Sequence, residues 1–119
     1  MDSLDKQIKE IKKLILIVWE LREKCAWDRK QTLKSLKNLT IEETYELCEA
    51  IDQLDYNGIQ EELGDLFLHI LFYSKIGSEN NKFNIGTIAK QLSRKLIRRH
   101  PHIYGNLKIK SEDDIKSNW

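Results

Sequence analysis

The stretch Leu66-Phe67-Leu68-His69-Ile70-Leu71-Phe72-Tyr73 is apolar nearly all round when wound as a helix. A helix of that kind is stable only when buried on most sides, so the rest of the chain has to cover it. The spacing predicts this helix over residues 59–76, as the third of the chain. A first, over 3–22, follows from Leu4, Ile8, Ile11, Ile15 and Val18, which recur at helical spacing. Residues 24–31 break that period and read as a loop in which Trp27 needs a packing partner, followed by a short turn around 32–37. Thr40 with Glu43 has capping-box spacing, so the second helix is predicted to start at Ile41, with Thr40 as its N-cap, and to stop at Asn57-Gly58. Ile41, Tyr45, Cys48, Ile51 and Leu54 fall on one side of it, while Glu42, Glu43, Glu46 and Glu49 share an opposite arc of roughly 120°. A fourth helix runs from an Asn84 cap to about His100, carrying Ile85, Ile88, Ala89, Leu92 and Leu96 at the right spacing, and Pro101 stops it.

Only Glu112 to Trp119 hints at a further helix in the polar residues after Gly105, and no strand pattern or repeat interrupts the series. The fold class is therefore all-α, an antiparallel bundle of four to five helices. One domain spans 1–119, with a core over about 3–105 and a polar tail over 106–119. A chain of 119 residues with 40% apolar content does not easily screen an all-apolar helix alone, so a homodimer or higher homo-oligomer is expected to complete the bundle.

Cys25 and Cys48 have neither C-x-x-C spacing nor the company of a zinc site. The first apolar run, Leu14 to Trp19, follows charged residues and is short, which gives neither a signal peptide nor a membrane span. A cytoplasmic protein without a membrane partner is expected.

The net charge of +1 becomes informative by position. Asn38 to Ser74 holds no Lys or Arg but nine acids: Glu42, Glu43, Glu46, Glu49, Asp52, Asp55, Glu61, Glu62 and Asp65. Asn80 to Ser111 holds no acid but Lys82, Lys90, Arg94, Lys95, Arg98, Arg99, Lys108 and Lys110. Such blocks either pair with each other or serve ligands of opposite sign.

Glu62 and Asp65 lie one turn apart beside Leu63, Leu66 and Phe67. An ionised carboxylate buried there costs several kcal/mol unless a distant base or a bound cation compensates it. Glu43 and Glu46, also one turn apart, can aim at the same point if the second and third helices pack antiparallel. Four oxygen ligands with no His or Cys among them describe Mg²⁺ better than zinc. Capping alone would explain Glu42 and Glu43, but it leaves Asp65 unexplained. His69, one turn on, reads as a core histidine, and Gly64 as a site of close helix packing beside the acids. On the fourth helix Lys95 and Arg99, with Arg98 adjacent, repel unless an anion such as phosphate sits among them. A solvated basic helix end is the plainer reading of the same residues.

Glu42-Glu43-Thr44-Tyr45-Glu46 followed by Glu61-Glu62-Leu63-Gly64-Asp65 resembles the E-E-x-x-E…E-x-x-D signature of the MazG-like nucleoside triphosphate pyrophosphohydrolases. Cys25-Ala26-Trp27-Asp28 with Gln31-Thr32 is similar to that family's C-P-W-D-x-x-Q-T element, and Lys95 to His102 to its downstream stretch. The resemblance covers about Leu21 to Gly105. It implies an all-α, dimeric enzyme that hydrolyses nucleoside triphosphates to monophosphate and pyrophosphate, with Mg²⁺, or Mn²⁺ as a substitute, held by Glu43, Glu46, Glu62 and Asp65. It further implies that Lys95 and Arg99, with Arg98, bind phosphates and that Trp119 lies near the nucleotide. Two departures stand out: Ala26 replaces the family's proline, and the sequence stops at Trp119 where members usually continue, as a truncated chain would.

On this reading a metal-bound water is the nucleophile, and Glu42, the motif acid outside the ligand set, orients or deprotonates it. The alternatives are a sibling specific for dUTP, dCTP or phosphoribosyl-ATP, and a helical nucleotide-binding or regulatory module without hydrolysis. Keeping several mutually repelling carboxylates argues against the binding module. A nucleic-acid partner is disfavoured because the acidic face would repel the backbone.

Overall fold

The Ser3 hydroxyl accepts from the Lys6 backbone N–H and starts α1, Leu4–Lys24. The computed structural model describes residues 2–105, 111–117 and 119, so Lys108 and Lys110 lie outside the described residues, as does part of the polar tail. The described residues form seven helices and no strand, two more than the most the spacing predicts. After α1 come α2 (Ala26–Lys30), α3 (Leu33–Asp52), α4 (Tyr56–Glu79), α5 (Ile85–Arg99), α6 (Pro101–Tyr104) and α7 (Glu112–Lys116). The chain divides into two compact units, Met1–Lys82 and Phe83–Trp119.

In the first unit α4 packs chiefly on α3 and also on α1, which holds α2. Leu36, Phe72 and Ile76 form the core, with Leu68 and Tyr73 against it. Leu36 meets Phe72 and Ile76, Thr40 meets Tyr73 and His69, and Glu43 meets Asp65 and Glu62. Numbers that rise on α3 as they fall on α4 make the pair antiparallel, as expected.

Several expectations are corrected. The segment read as a loop contains α2, and Trp27 stays 58% exposed. Arg22 holds the segment instead, donating through Nη1 to the carbonyls of Asp28, Arg29 and Gln31 at 2.7, 3.2 and 2.8 Å, while its other nitrogens pair with Glu79 at 2.9 and 3.0 Å. α3 does not begin at Ile41. Thr32 caps it through a reciprocal pair with Ser35, and Thr40 lies in mid-helix with its hydroxyl on the Leu36 carbonyl. Nothing between Leu33 and Asp52 breaks the helix, so Glu42 and Glu43 cap nothing.

The turn into α4 is made by Leu54, whose φ of 53° lies in the left-handed region, and not by Asn57-Gly58. Asp55 caps α4 by accepting from the Gly58 N–H. A Cβ at Gly58 would lie 2.5 Å from the Asp55 carboxylate, so a larger residue there would push the capping side chain aside. A Cβ at Gly64, by contrast, would meet nothing within 4 Å, which removes close packing as its reason.

The face of α3 toward α4 carries Leu36, Thr40, Glu43 and Ala50, while Ile41, Tyr45, Cys48 and Ile51 are exposed, as are Glu42, Glu46 and Glu49. α1 likewise buries Val18 but leaves Leu4, Ile8 and Ile11 exposed. α4 is buried or half-buried on most sides over residues 65–78, as expected, with Ile70 the exception at 45% exposed.

In the second unit Asn84 caps α5 as expected, through a reciprocal pair with Thr87. Pro101 ends α5 and opens the short α6. No described helix is long and apolar enough to cross a membrane.

Candidate metal centre

Glu43 on α3 faces Glu62 and Asp65 on α4, and one oxygen from each carboxylate lies within 4.8 Å of the others. Helical spacing explains the pair on α4, since residues three apart share a face, and the antiparallel packing brings Glu43 to it. Among the described residues, Glu43 Oε2 and Glu62 Oε2 are buried with no hydrogen-bond donor, and no Lys or Arg forms an ion pair with either.

The electrostatics follow from that crowding. Burial pushes the Glu43 carboxyl above its ordinary value, and the charges of Glu46 and Asp65 add to the shift. Glu62 is raised first by its contact with Glu43 and then by burial. Glu46 is raised mainly by its contact and charge interaction with Glu62. Two ionised carboxylates in contact only repel, and a hydrogen bond between them needs one to be protonated, which is the direction of these shifts. Two buried orphaned oxygens in a cluster of hard donors, with no ring nitrogen or thiol among them, fit a divalent cation such as Mg²⁺.

Of the four expected ligands the structure therefore gathers Glu43, Glu62 and Asp65, with Glu46 exposed against Glu62 and outside the three-membered cluster. Glu42 is exposed and also lies outside it. In the second unit Arg98 is exposed and Lys95 half-buried. The Arg99 guanidinium lies 5.6 Å from the Trp119 ring centroid and the His100 ring 5.6 Å from the same ring, edge-on. Trp119 itself is 59% exposed.

Sequence reasoning missed the polar group beside the acids. The Thr40 hydroxyl contacts His69 Nδ1 at 2.7 Å and also the Tyr73 hydroxyl. His69 is buried, as expected of a core residue, and burial holds its pKa below the ordinary value against the pull of Asp65. The residue number of Thr40, matched to Glu43, pointed to a cap, so no local signal led to this cross-helix role.

The family model of the MazG nucleotide pyrophosphohydrolase domain matches residues 31–104. Among curated proteins, the uncharacterized protein YabN of Bacillus subtilis is 46% identical over 105 residues, which are 87% of this chain and 22% of that protein. The nucleoside triphosphate pyrophosphohydrolase/pyrophosphatase MazG of Thermotoga maritima is 46% identical over 109 residues, 87% of this chain and 43% of its own length. The chain thus spans less than half of either relative. The crystal structure of a mazG-related protein from Thermotoga maritima matches with a TM-score of 0.74 at 24% identity, over 88% of this chain and 92% of that one, which establishes the all-helical fold.

Proposed function

This chain belongs to the MazG nucleotide pyrophosphohydrolase domain family, and we propose that it hydrolyses nucleoside triphosphates between the α- and β-phosphates, with Mg²⁺, to monophosphate and pyrophosphate. The observation that carries this reading is the pair of buried, donor-less oxygens on Glu43 and Glu62 beside Asp65. A bound divalent cation supplies Lewis-acid chemistry, lowering the pKa of water and offsetting charge on phosphate oxygens.

The chain's own residues do the rest. Glu43, Glu62 and Asp65 would hold the cation, with Glu46, beside Glu62, as the fourth carboxylate. Glu42, exposed on the same helix as Glu43, orients or deprotonates the attacking water. Lys95, Arg98 and Arg99 bind the phosphates, and Trp119 lies against the nucleotide. The matched residues 31–104 run through both units, which supports reading them as one domain. The exposed apolar face of α3, with Ile41 and Ile51 each 47% exposed and Tyr45 73% exposed, supports a homodimer or higher homo-oligomer. The free thiols of Cys25 and Cys48 suit a reducing cytoplasm.

The test is product analysis over a panel of ribo- and deoxyribonucleoside triphosphates with Mg²⁺. Equal amounts of monophosphate and pyrophosphate support the reading; folded protein that binds nucleotide and releases neither product makes the chain a binding module. Glu42→Gln sharpens the roles: turnover should fall far more than Mg²⁺ affinity, and a parallel fall in both would make Glu42 a ligand.

A further inference from the structure

A threonine hydroxyl has one proton and two acceptor sites, and Thr40 uses all three. It donates to the Leu36 carbonyl of its own helix at 3.0 Å, which leaves its oxygen to accept from the Tyr73 hydroxyl and from His69 Nδ1–H at 2.7 Å. Both of those partners are on α4, so the one hydroxyl ties the two helices together. The His69 and Tyr73 rings meet edge-on at 6.4 Å, which keeps both donors aimed at Thr40.

The placement matters more than the bonds themselves. Thr40 lies one turn before Glu43 on α3, and His69 one turn after Asp65 on α4. The apolar contacts beside these residues come from Leu36, Phe72 and Ile76 with Leu68, and apolar packing is non-directional. A slip of one turn would move α4 by about 5.4 Å and pull Glu62 and Asp65 away from Glu43. Buried polar groups are best attested as devices that fix such a register.

We infer that Thr40, His69 and Tyr73 are positioning residues that set the register of α3 against α4, and so the geometry with which Glu43, Glu62 and Asp65 grip a divalent cation. This rests on reading the carboxylate cluster as a cation site. A site held by an ordered supporting shell loses affinity when that shell loosens, typically by tenfold or more.

The experiment is a Mn²⁺ titration of folded full-length protein, well below its melting temperature, for the wild type and five variants. Thr40→Val keeps the shape and deletes the hydroxyl, and Tyr73→Phe deletes one of its partners. Each should weaken Mn²⁺ binding about tenfold, while Thr40→Ser stays within about twofold of wild type because the hydroxyl is retained. Ile76→Val, a core change costing about 1 kcal/mol, should lower the melting temperature with an unchanged Kd, which a merely structural role for Thr40 would not distinguish from Thr40→Val. Glu43→Gln separates the two readings. If it abolishes binding while Thr40→Val and Tyr73→Phe bind Mn²⁺ as wild type does, the carboxylate site stands and the positioning role falls. Equal weakening by Ile76→Val also overturns that role, and a wild type that binds no Mn²⁺ overturns both.

Discussion

Arg22 and Glu43 carry charge into the interior of the same helical unit, and the chain treats them in opposite ways. Arg22, with 12% of its side chain exposed, pairs doubly with Glu79 and also reaches the carbonyls of Asp28, Arg29 and Gln31. Glu43 and Glu62 instead press together and each leave an oxygen with no donor. A buried charge whose partners all come from the chain serves the fold. Carboxylates left to repel one another do not serve the fold, and the proposed function gives them a cation to hold.

Removing one charge from each cluster gives the largest contrasts. Glu62→Gln should lower pyrophosphate release by more than about a hundredfold with no loss of melting temperature, because a repelling charge is gone; a colorimetric phosphate assay coupled to added inorganic pyrophosphatase and a thermal scan read the two effects. Arg22→Leu should do the reverse. It strands Glu79 and three carbonyls, and a loss of about 2–3 kcal/mol in denaturant unfolding is expected, below the range for fully buried pairs because Glu79 is 37% exposed. Activity per folded molecule should persist.

Mg²⁺ at ten times its Kd should stabilise the wild type by about 1.4 kcal/mol and leave Glu43→Gln unmoved, as differential scanning fluorimetry would show. Gly64→Ala should stabilise by up to about 1 kcal/mol, since its Cβ meets nothing within the chain. A loss of activity in that variant would mean that substrate or a second copy approaches there.

The smallest effects are opposed in pH. Arg22 holds the Glu79 carboxyl below its ordinary value of 4.5, so its contribution is present above that pH and lost as pH falls through the lowered value. Glu43, Glu46 and Glu62 are raised above 4.5. In chelator they favour the folded state most below 4.5 and weaken it as pH rises through their raised values. Glu79→Gln should flatten the acid limb of the melting curve and Glu62→Gln the limb above 4.5; if both flattened the same limb, the contrast between the clusters would fail.

Much of this was legible in the sequence because it is local. The Asn84 cap, the Pro101 stop and the one-turn spacing of Glu62 and Asp65 depend on residues within a few positions of each other. What escaped depends on distant or ambiguous partners. Arg22 and Glu79 are 57 residues apart. A threonine three before a glutamate looks like a cap, yet Thr40 bonds across to α4. The turn at Leu54 uses a left-handed φ in a residue type that gives no sign of it. The face of α3 toward α4 mixes apolar Leu36 and Ala50 with Thr40 and Glu43, a pattern that helical periodicity alone does not resolve.

The most direct test is a paired measurement on Asp65→Asn, comparing Mg²⁺-dependent pyrophosphate release and melting temperature with those of the wild type. Release abolished with melting temperature held or raised is the expected result. Release retained, or a melting temperature that drops as it does for Arg22→Leu, would show that the carboxylates belong to the fold and that the site lies elsewhere.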